Sequence, residues 1–307
     1  MRLIPHTLAV PAAALLALSA CSSADPLTEE NNDAGVSGDE PREELVIGSQ
    51  QYYSNTIIAE LYAQVLEDQA YSIDRQFEIG QREVYVPELE AGAIDIFPEY
   101  TGNLLQYLDS DAKASTPDEV HSALGEALRE GLEVLDFAEA TDQDSYVVTD
   151  EFAREHDLTS VADLAELEDL RIASNSEWEA RPYGPAGLEE LYGVELTLVP
   201  VEDSGGPLTL NALLSGDVEV ANIYSADPAI EKNDLVALED PESLVLPQNL
   251  VPVVSANVDE QARAAINELQ QLLTQEELLK LNAYSQDEQA SPSDVAAWWL
   301  EEQGLLD

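Results

Sequence analysis

The stretch LVIGSQQYYSNTIIAELYAQVLEDQAYSIDRQFEIGQREVYVPELEAGAIDIFPEY, residues 45–100, sets the fold class. It opens on a short apolar run, Leu45-Val46-Ile47, ending in Gly48, the pattern of a buried strand closed by a turn. Ile58, Leu61, Tyr62, Val65 and Leu66 then recur at helical spacing and define one buried face. Ile73, Arg75, Phe77 and Ile79 alternate as a second strand, Tyr85–Ala91 reads as a helix, and Ile94-Asp95-Ile96-Phe97 is a third strand before Pro98. This β-α-β-α-β order predicts a parallel sheet with helices on both faces.

A second series begins after Ala140. Strands are expected at Tyr146–Val148, Leu170–Ala173, Leu196–Val201 and Val218–Ile223, with helices at Val161–Leu167, Gly187–Leu191 and Leu208–Leu214 between them. Leu235–Leu238 and Leu250–Val254 are further strands, and the C-terminal part reads as three helices over 262–273, 276–281 and 293–303. No internal repeat of fixed period stands out. Two α/β units with a mobile cleft between them fit this order, and 307 residues suffice for two cores.

Charge excludes several partners. The chain carries 63 Asp and Glu against 12 Lys and Arg, a formal net charge of −51. Nucleic acid and anionic lipid headgroups both need clustered Lys and Arg, so neither is an expected partner. With 45% hydrophobic residues the chain is nevertheless no disordered acidic tail. Only three of the basic residues are lysines (Lys113, Lys232 and Lys280). An acidic, lysine-poor surface suits high salt, where a Debye length of about 3 Å at 1 M screens self-repulsion. A merely acidic exported protein, or one from an alkaline setting, is the alternative.

The N-terminal residues read as an export signal. Met1-Arg2 is a thin positive region, Leu3–Leu18 is mostly apolar, and Pro5 and Pro11 interrupt it too early for a spanning helix. Leu18-Ser19-Ala20-Cys21 resembles the bacterial lipoprotein signal, in which the cysteine is diacylated after cleavage; an ordinary signal peptide with a chance cysteine is the alternative. Cys21 is the single cysteine, so no disulfide can form within the chain. Expected divisions are a lipoprotein signal at 1–20, then lipidated Cys21 and a disordered acidic tether through 44. Residues 45–145 with 226–307 are expected to form lobe 1, and 146–225 lobe 2. The protein is thus expected outside the cytoplasm, anchored through a lipid at Cys21.

Residues able to do chemistry are scarce. A nucleophile needs a base beside it, and the three histidines are poor candidates. His6 lies in the signal stretch, while His121 and His156 have polar, surface-like neighbours. No phosphate loop, nucleophile elbow, zinc-protease motif or dinucleotide fingerprint is present. Neither catalysis, a metal nor a cofactor is expected. Tyrosine is the abundant aromatic, twelve against four Phe and three Trp. Tyr52, Tyr53, Tyr100, Tyr146 and Tyr224 fall at strand ends or junctions, where open α/β sheets bind ligands. Tyrosines converging there would attract a quaternary ammonium through their ring faces; half-buried tyrosines standing in for Phe are the alternative.

Several blocks then occur in register. Gly48-Ser49-Gln50-Gln51-Tyr52, Arg82-Glu83-Val84-Tyr85-Val86-Pro87, Phe97-Pro98-Glu99-Tyr100-Thr101-Gly102-Asn103, Asp203-Ser204-Gly205-Gly206-Pro207 and Tyr224-Ser225-Ala226-Asp227-Pro228 resemble the substrate-binding proteins of ABC importers for osmoprotectants. The resemblance runs from about Leu45 to the C-terminal helices. It implies a two-lobed, hinged, type II periplasmic-binding-protein fold that captures a quaternary ammonium solute of the glycine betaine, choline or carnitine type. The solute would pass to membrane permease subunits, with ATP hydrolysis left to a separate partner.

By that resemblance Tyr100 and Thr101 belong to the ligand site, Asp144 and Tyr146 to the first crossover between lobes, and Tyr224 to the return crossover. Arg181 matches an arginine that grips a ligand carboxylate; a surface pair with Glu177 or Glu179 is its alternative. At the first loop Asn55 replaces a family glutamine and Gln50 a family lysine, and the loss of that lysine eases acceptance of a cation such as choline. Asp144 leans the same way and Arg181 the other. Tyr52 or Tyr53 supplies a further wall. Rival functions are the same fold binding an amino acid, a surface interaction lipoprotein that has lost transport, and an enzyme on this scaffold.

Overall fold

The computed structural model describes residues 44–306. The signal stretch, Cys21 and almost all of the acidic tether lie outside the described residues. The first lobe begins with β1 (Glu44–Gly48), α1 (Tyr53–Asp68), β2 (Ser72–Gln76), α2 (Arg82–Glu90), β3 (Ile96–Tyr100), α3 (Thr101–Leu108), α4 (Pro117–Ala127) and β4 (Leu132–Val134). The chain crosses to β5 (Asp144–Thr149), α5 (Asp150–Glu155), β6 (Arg171–Ser174), α6 (Pro185–Tyr192), β7 (Thr197–Pro200), α7 (Pro207–Leu214), β8 (Val220–Tyr224), α8 (Ala229–Lys232) and β9 (Leu235–Ala237). It returns as β10 (Leu250–Ser255), α9 (Glu260–Leu272), α10 (Gln275–Glu288) and α11 (Pro292–Gln303). Two 3-10 turns, Val161–Glu166 and Ser176–Ala180, flank β6.

Each lobe holds one five-stranded sheet, ordered β2-β1-β3-β10-β4 in the first and β7-β6-β8-β5-β9 in the second. β1 runs parallel to β2 and β3, and β6 parallel to β7 and β8, as the strand–helix alternation predicts. The sheets are mixed, however. β10 lies antiparallel between β3 and β4, and β5 antiparallel between β8 and β9. Each is the first strand after a crossing. A chain arriving from the other lobe enters at the end where the parallel strands finish, so it must run against them. The second sheet also takes in β9, through Val147↔Ala237 and Thr149↔Leu235. Leu235–Ala237, grouped with lobe 1 from sequence, therefore extend the second sheet, whereas Ala226 packs in the first lobe's core, where its carbonyl accepts from Asn282 Nδ2 at 2.9 Å.

α1 is the central helix of the first lobe. Ile57, Ile58, Leu61, Tyr62 and Leu66 are fully buried beneath α9, α10 and α11, each worth roughly 1.5–3 kcal/mol of apolar burial. α11 closes this layer with buried Trp299, whose indole N–H donates to Glu277 Oε2 at 2.6 Å. α2, α3 and α4 cover the opposite face of the same sheet around Phe97 and Leu104.

The helix α3 is invisible to sequence periodicity because Pro98 and Gly102 read as a turn. β3 continues through Pro98 because its ladder with β1 is confined to Ile47↔Ile96, so no N–H is required of the proline. Gly102 then allows α3 to lie against the returning chain: a Cβ there would stand 2.6 Å from the Pro247 carbonyl and 2.8 Å from Leu246 Cβ.

Candidate functional site

A cavity lies between the lobes at the carboxyl ends of β1, β3, β6 and β8, the position open α/β sheets use for ligands. The first lobe contributes Gln50, Tyr52, Gln81, Arg82, Tyr100 and Asn103. Asp142 and Asp144 enter from the first crossing, and Asn175, Trp178, Arg181, Tyr183 and Tyr224 from the second lobe.

The aromatic walls are set by helix starts and strand ends. Tyr52 and Tyr100 are the extended residues immediately before α1 and α3, so their side chains project from the ends of the sheet. The Tyr52 ring meets Tyr224 from the opposite lobe with centroids 5.0 Å apart and planes tilted by 56°. Tyr53 turns away from this cavity; its hydroxyl accepts from Gln286 Nε2 at 2.8 Å and lies 3.4 Å from Asp227 Oδ2. Tyr52 is the wall residue of the two.

Three of the residues expected in the site stand behind its walls instead. Asn55 Oδ1 accepts the Gln50 backbone N–H at 2.8 Å while its amide donates to the Pro98 carbonyl, which braces the loop carrying Gln50. Thr101 Oγ1 donates to the Pro247 carbonyl and accepts from Asn249 N, fastening α3 to the returning chain. Tyr146 is buried, and its hydroxyl donates to the Tyr183 carbonyl. Gln50, Tyr52, Tyr100, Asp144, Arg181 and Tyr224 are brought together on the cavity itself.

Sequence reasoning missed Gln81, Arg82, Asn103, Asp142, Asn175, Trp178 and Tyr183. Arg82 and Asn103 lay inside the quoted blocks, and Asp142 sits two residues before Asp144. Trp178 carried no periodic signal, being held in a 3-10 turn.

The electrostatics are divided. Arg82 grips buried Glu99 through two bonds, Nε to Oε1 at 2.9 Å and Nη2 to Oε2 at 2.7 Å. Glu99 also accepts from the Tyr85 hydroxyl and from Tyr100 N, so its carboxylate is fully satisfied. Burial opposes the Arg82 charge, but Glu99 more than offsets it and the guanidinium is held above its ordinary pKa. Arg181 reaches across the cleft to Glu83 with bonds of 2.7 and 3.2 Å, not to Glu177 or Glu179 beside it in sequence.

Asp144 accepts from Asn103 Nδ2 at 2.6 Å, and Asp142 Oδ1 from the Ala226 backbone N–H at 2.9 Å. Burial first, then the nearby Asp227 and Asp144 charges, push the Asp142 carboxyl up to about 8 against the pull of that N–H. Two carboxyl groups thus face an aromatic cavity without an arginine or lysine partner among the described residues. Further bonds join the lobes: Ser204 Oγ accepts from Gln51 Nε2 at 3.2 Å and from Gln81 Nε2 at 3.1 Å.

No histidine, serine or threonine among the described residues lines the cavity. Among the described residues no group of three His, Cys, Asp or Glu is placed to hold a metal, and no helix is long and apolar enough to cross a membrane.

A family described as the substrate binding domain of ABC-type glycine betaine transport systems matches residues 43–302. The chain belongs to this family. Among relatives of this glycine betaine family, the glycine-betaine-binding protein of Pseudomonas aeruginosa is 26% identical over 281 residues, covering 86% of this chain and 89% of that one. The carnitine transport binding protein OpuCC of Listeria monocytogenes is 22% identical over 279 residues, covering 88% and 90%. A crystal structure described as a glycine betaine/carnitine/choline ABC transporter superposes with a TM-score of 0.68 at 23% identity, covering 87% of this chain and all of that one. A choline binding protein solved with choline gives 0.61 at 15% identity, covering 85% and 89%. The fold is the two-lobed type II periplasmic-binding-protein fold, as the sequence resemblance implies. Family members are substrate-binding components of transport systems rather than enzymes, and act outside the cytoplasm.

Proposed function

We propose that this protein captures a quaternary ammonium compatible solute, of the glycine betaine, choline or carnitine type, and delivers it to the permease of an ABC importer. The observation that carries the reading is the wall formed by Tyr52, Tyr100 and Tyr224 around the carboxyl group of Asp142. Ring faces attract a trimethylammonium by roughly 0.5–2 kcal/mol each. An ordinary ammonium would lose hydrogen bonds on entering such a wall, whereas a trimethylammonium has none to lose. Both lobes supply the rings, so solute binds the closed arrangement better than an open one and shifts the population toward it.

Titration calorimetry of the full-length protein with glycine betaine, carnitine and choline tests this reading. Micromolar or tighter binding of at least one is expected, weakened about tenfold or more in Tyr52→Ala and Tyr224→Ala. Absence of binding to all three would sink it, and unchanged affinity in both variants would remove the tyrosine wall as its mechanism. A lipid anchor at Cys21 belongs to the same proposal. Labelled fatty acid should enter the wild-type protein in cells and not Cys21→Ser.

A further inference from the structure

The two guanidinium groups on the cavity are already matched by carboxylates of the protein itself. Arg82 is paired with Glu99, which is fully enclosed and fixed by two further donors. Arg181 is paired with Glu83, whose side chain is 46% exposed at the rim, while the arginine is only 10% exposed. The Arg181 guanidinium also lies 5.8 Å from the centre of the Tyr107 ring. Its hydrogen-bonding fork is therefore occupied by the first lobe in the closed arrangement.

We infer that Glu83 is a specificity-determining residue: it takes the place of a ligand carboxylate on Arg181 and turns the site toward quaternary ammonium solutes that carry no carboxylate. The inference rests on the function proposed above and goes beyond it by naming which charge class is preferred.

The charges around the cavity support it. With each arginine neutralised by its own glutamate, Asp142 and Asp144 are left without a cationic partner, and a net positive ligand gains from Asp144 and from Asp142 as the latter gives up its proton. A zwitterion brings its own negative group into that surplus and must displace Glu83 to place it. Burial pushes the Glu83 carboxyl up, but the Arg181 bonds outweigh that and hold it below its ordinary value, so the pair stays ionised near neutrality.

A small neutral oxygen can still be received. Gln50 Nε2 and Trp178 Nε1 line the same cavity, are buried, and have no hydrogen-bond partner. They suit the hydroxyl of an amino alcohol, a neutral acceptor that needs no arginine.

The test is calorimetry of full-length wild type, Glu83→Gln and the double variant Glu83→Gln/Arg181→Met, each with choline and with glycine betaine. Wild type is expected to bind choline more tightly. Glu83→Gln frees the Arg181 fork and should shift the betaine-to-choline affinity ratio toward betaine by about tenfold or more, the usual weight of a charge-assisted pair. The ratio is the readout, because a general loosening of closure moves both solutes together. In the double variant the shift should vanish. A wild type preferring betaine, a ratio unmoved by Glu83→Gln, or a shift that survives the loss of Arg181 would each overturn the role of Glu83 while leaving the receptor intact. Binding of neither solute by wild type would instead remove the receptor reading on which it stands.

Discussion

Asp142 shows how one side chain couples the proton to the solute. Its carboxyl is enclosed by the phenols of Tyr52, Tyr53, Tyr100 and Tyr224 and by the carboxylates of Asp144 and Asp227, with the Ala226 N–H as its donor. Since burial raises it from 3.8 to about 8, the empty native protein keeps a proton there that the unfolded chain releases above about 4. The stability tied to this group is thus fully present below about 3.8 and is lost as pH rises through about 8. A quaternary ammonium reverses the local balance by favouring the charged carboxylate, so binding near neutrality should expel a proton. Choline affinity is accordingly expected to climb from pH 6 to pH 9 and to flatten in Asp142→Asn. The difference in Tm between wild type and that variant should shrink or change sign over the same range. A pH-independent wild type would take the counter-charge role away from Asp142. Arg181 teaches the complementary lesson: its partner Glu83 lies 98 positions away in the chain, so no local pattern announced the pair.

At the scale of elements, α3 and the returning chain form one joint. Gly102 permits a close approach, Thr101 bonds to Pro247 and Asn249, and Gln248 exchanges two bonds with Asn103, from its Nε2 at 2.7 Å and to its Oε1 at 2.8 Å. Asn103 in turn holds Asp144. Gly102→Ala would force α3 and the 246–248 segment apart, so a loss of about 1–3 kcal/mol in denaturant unfolding is expected, with weaker solute binding because Asn103 and Tyr100 move with the helix. Wild-type stability in this variant would mean the joint yields freely. The strands and helices legible in sequence, β1, α1, β2 and β6 among them, are those whose large apolar residues form a short run or recur at a regular spacing. α3 was hidden by a proline and a glycine whose reasons are tertiary, and the antiparallel course of β5 and β10 follows from where the chain crosses, which no periodicity encodes. The same limit applied to the site. Motif blocks led to segments that border the cavity, yet Asn55, Thr101 and Tyr146 point into the frame, because a residue's place in a motif does not fix which way its side chain faces.

Across the whole molecule the net charge of −51 is the dominant long-range force. Among the described residues ion pairs engage Arg75, Arg82, Arg129, Arg154, Arg171, Arg181, Arg263, Lys232 and Lys280, and the 63 acidic side chains of the sequence outnumber these cations several-fold. Repulsion among them opposes the compact state and equally opposes drawing two acidic lobes together. Added salt should therefore act in two opposite directions. Between 0.05 and 1 M NaCl the Debye length contracts to about 3 Å, and Tm of the solute-free protein is expected to rise by roughly 5 °C or more. Over the same range the association rate of choline should fall, since screening also removes the attraction of an acidic body for a cation. Chloride is the proper salt for the series, because sulfate stabilises most proteins by exclusion from their surface and would mimic the effect. KCl should reproduce the result, as screening depends on ionic strength and not on the identity of the cation. A Tm that stays level or falls in both chlorides would mean that the acidic surface is not under electrostatic strain. A rising Tm with an unchanged association rate would place the repulsion on the body of the protein while leaving the cleft without a field of its own.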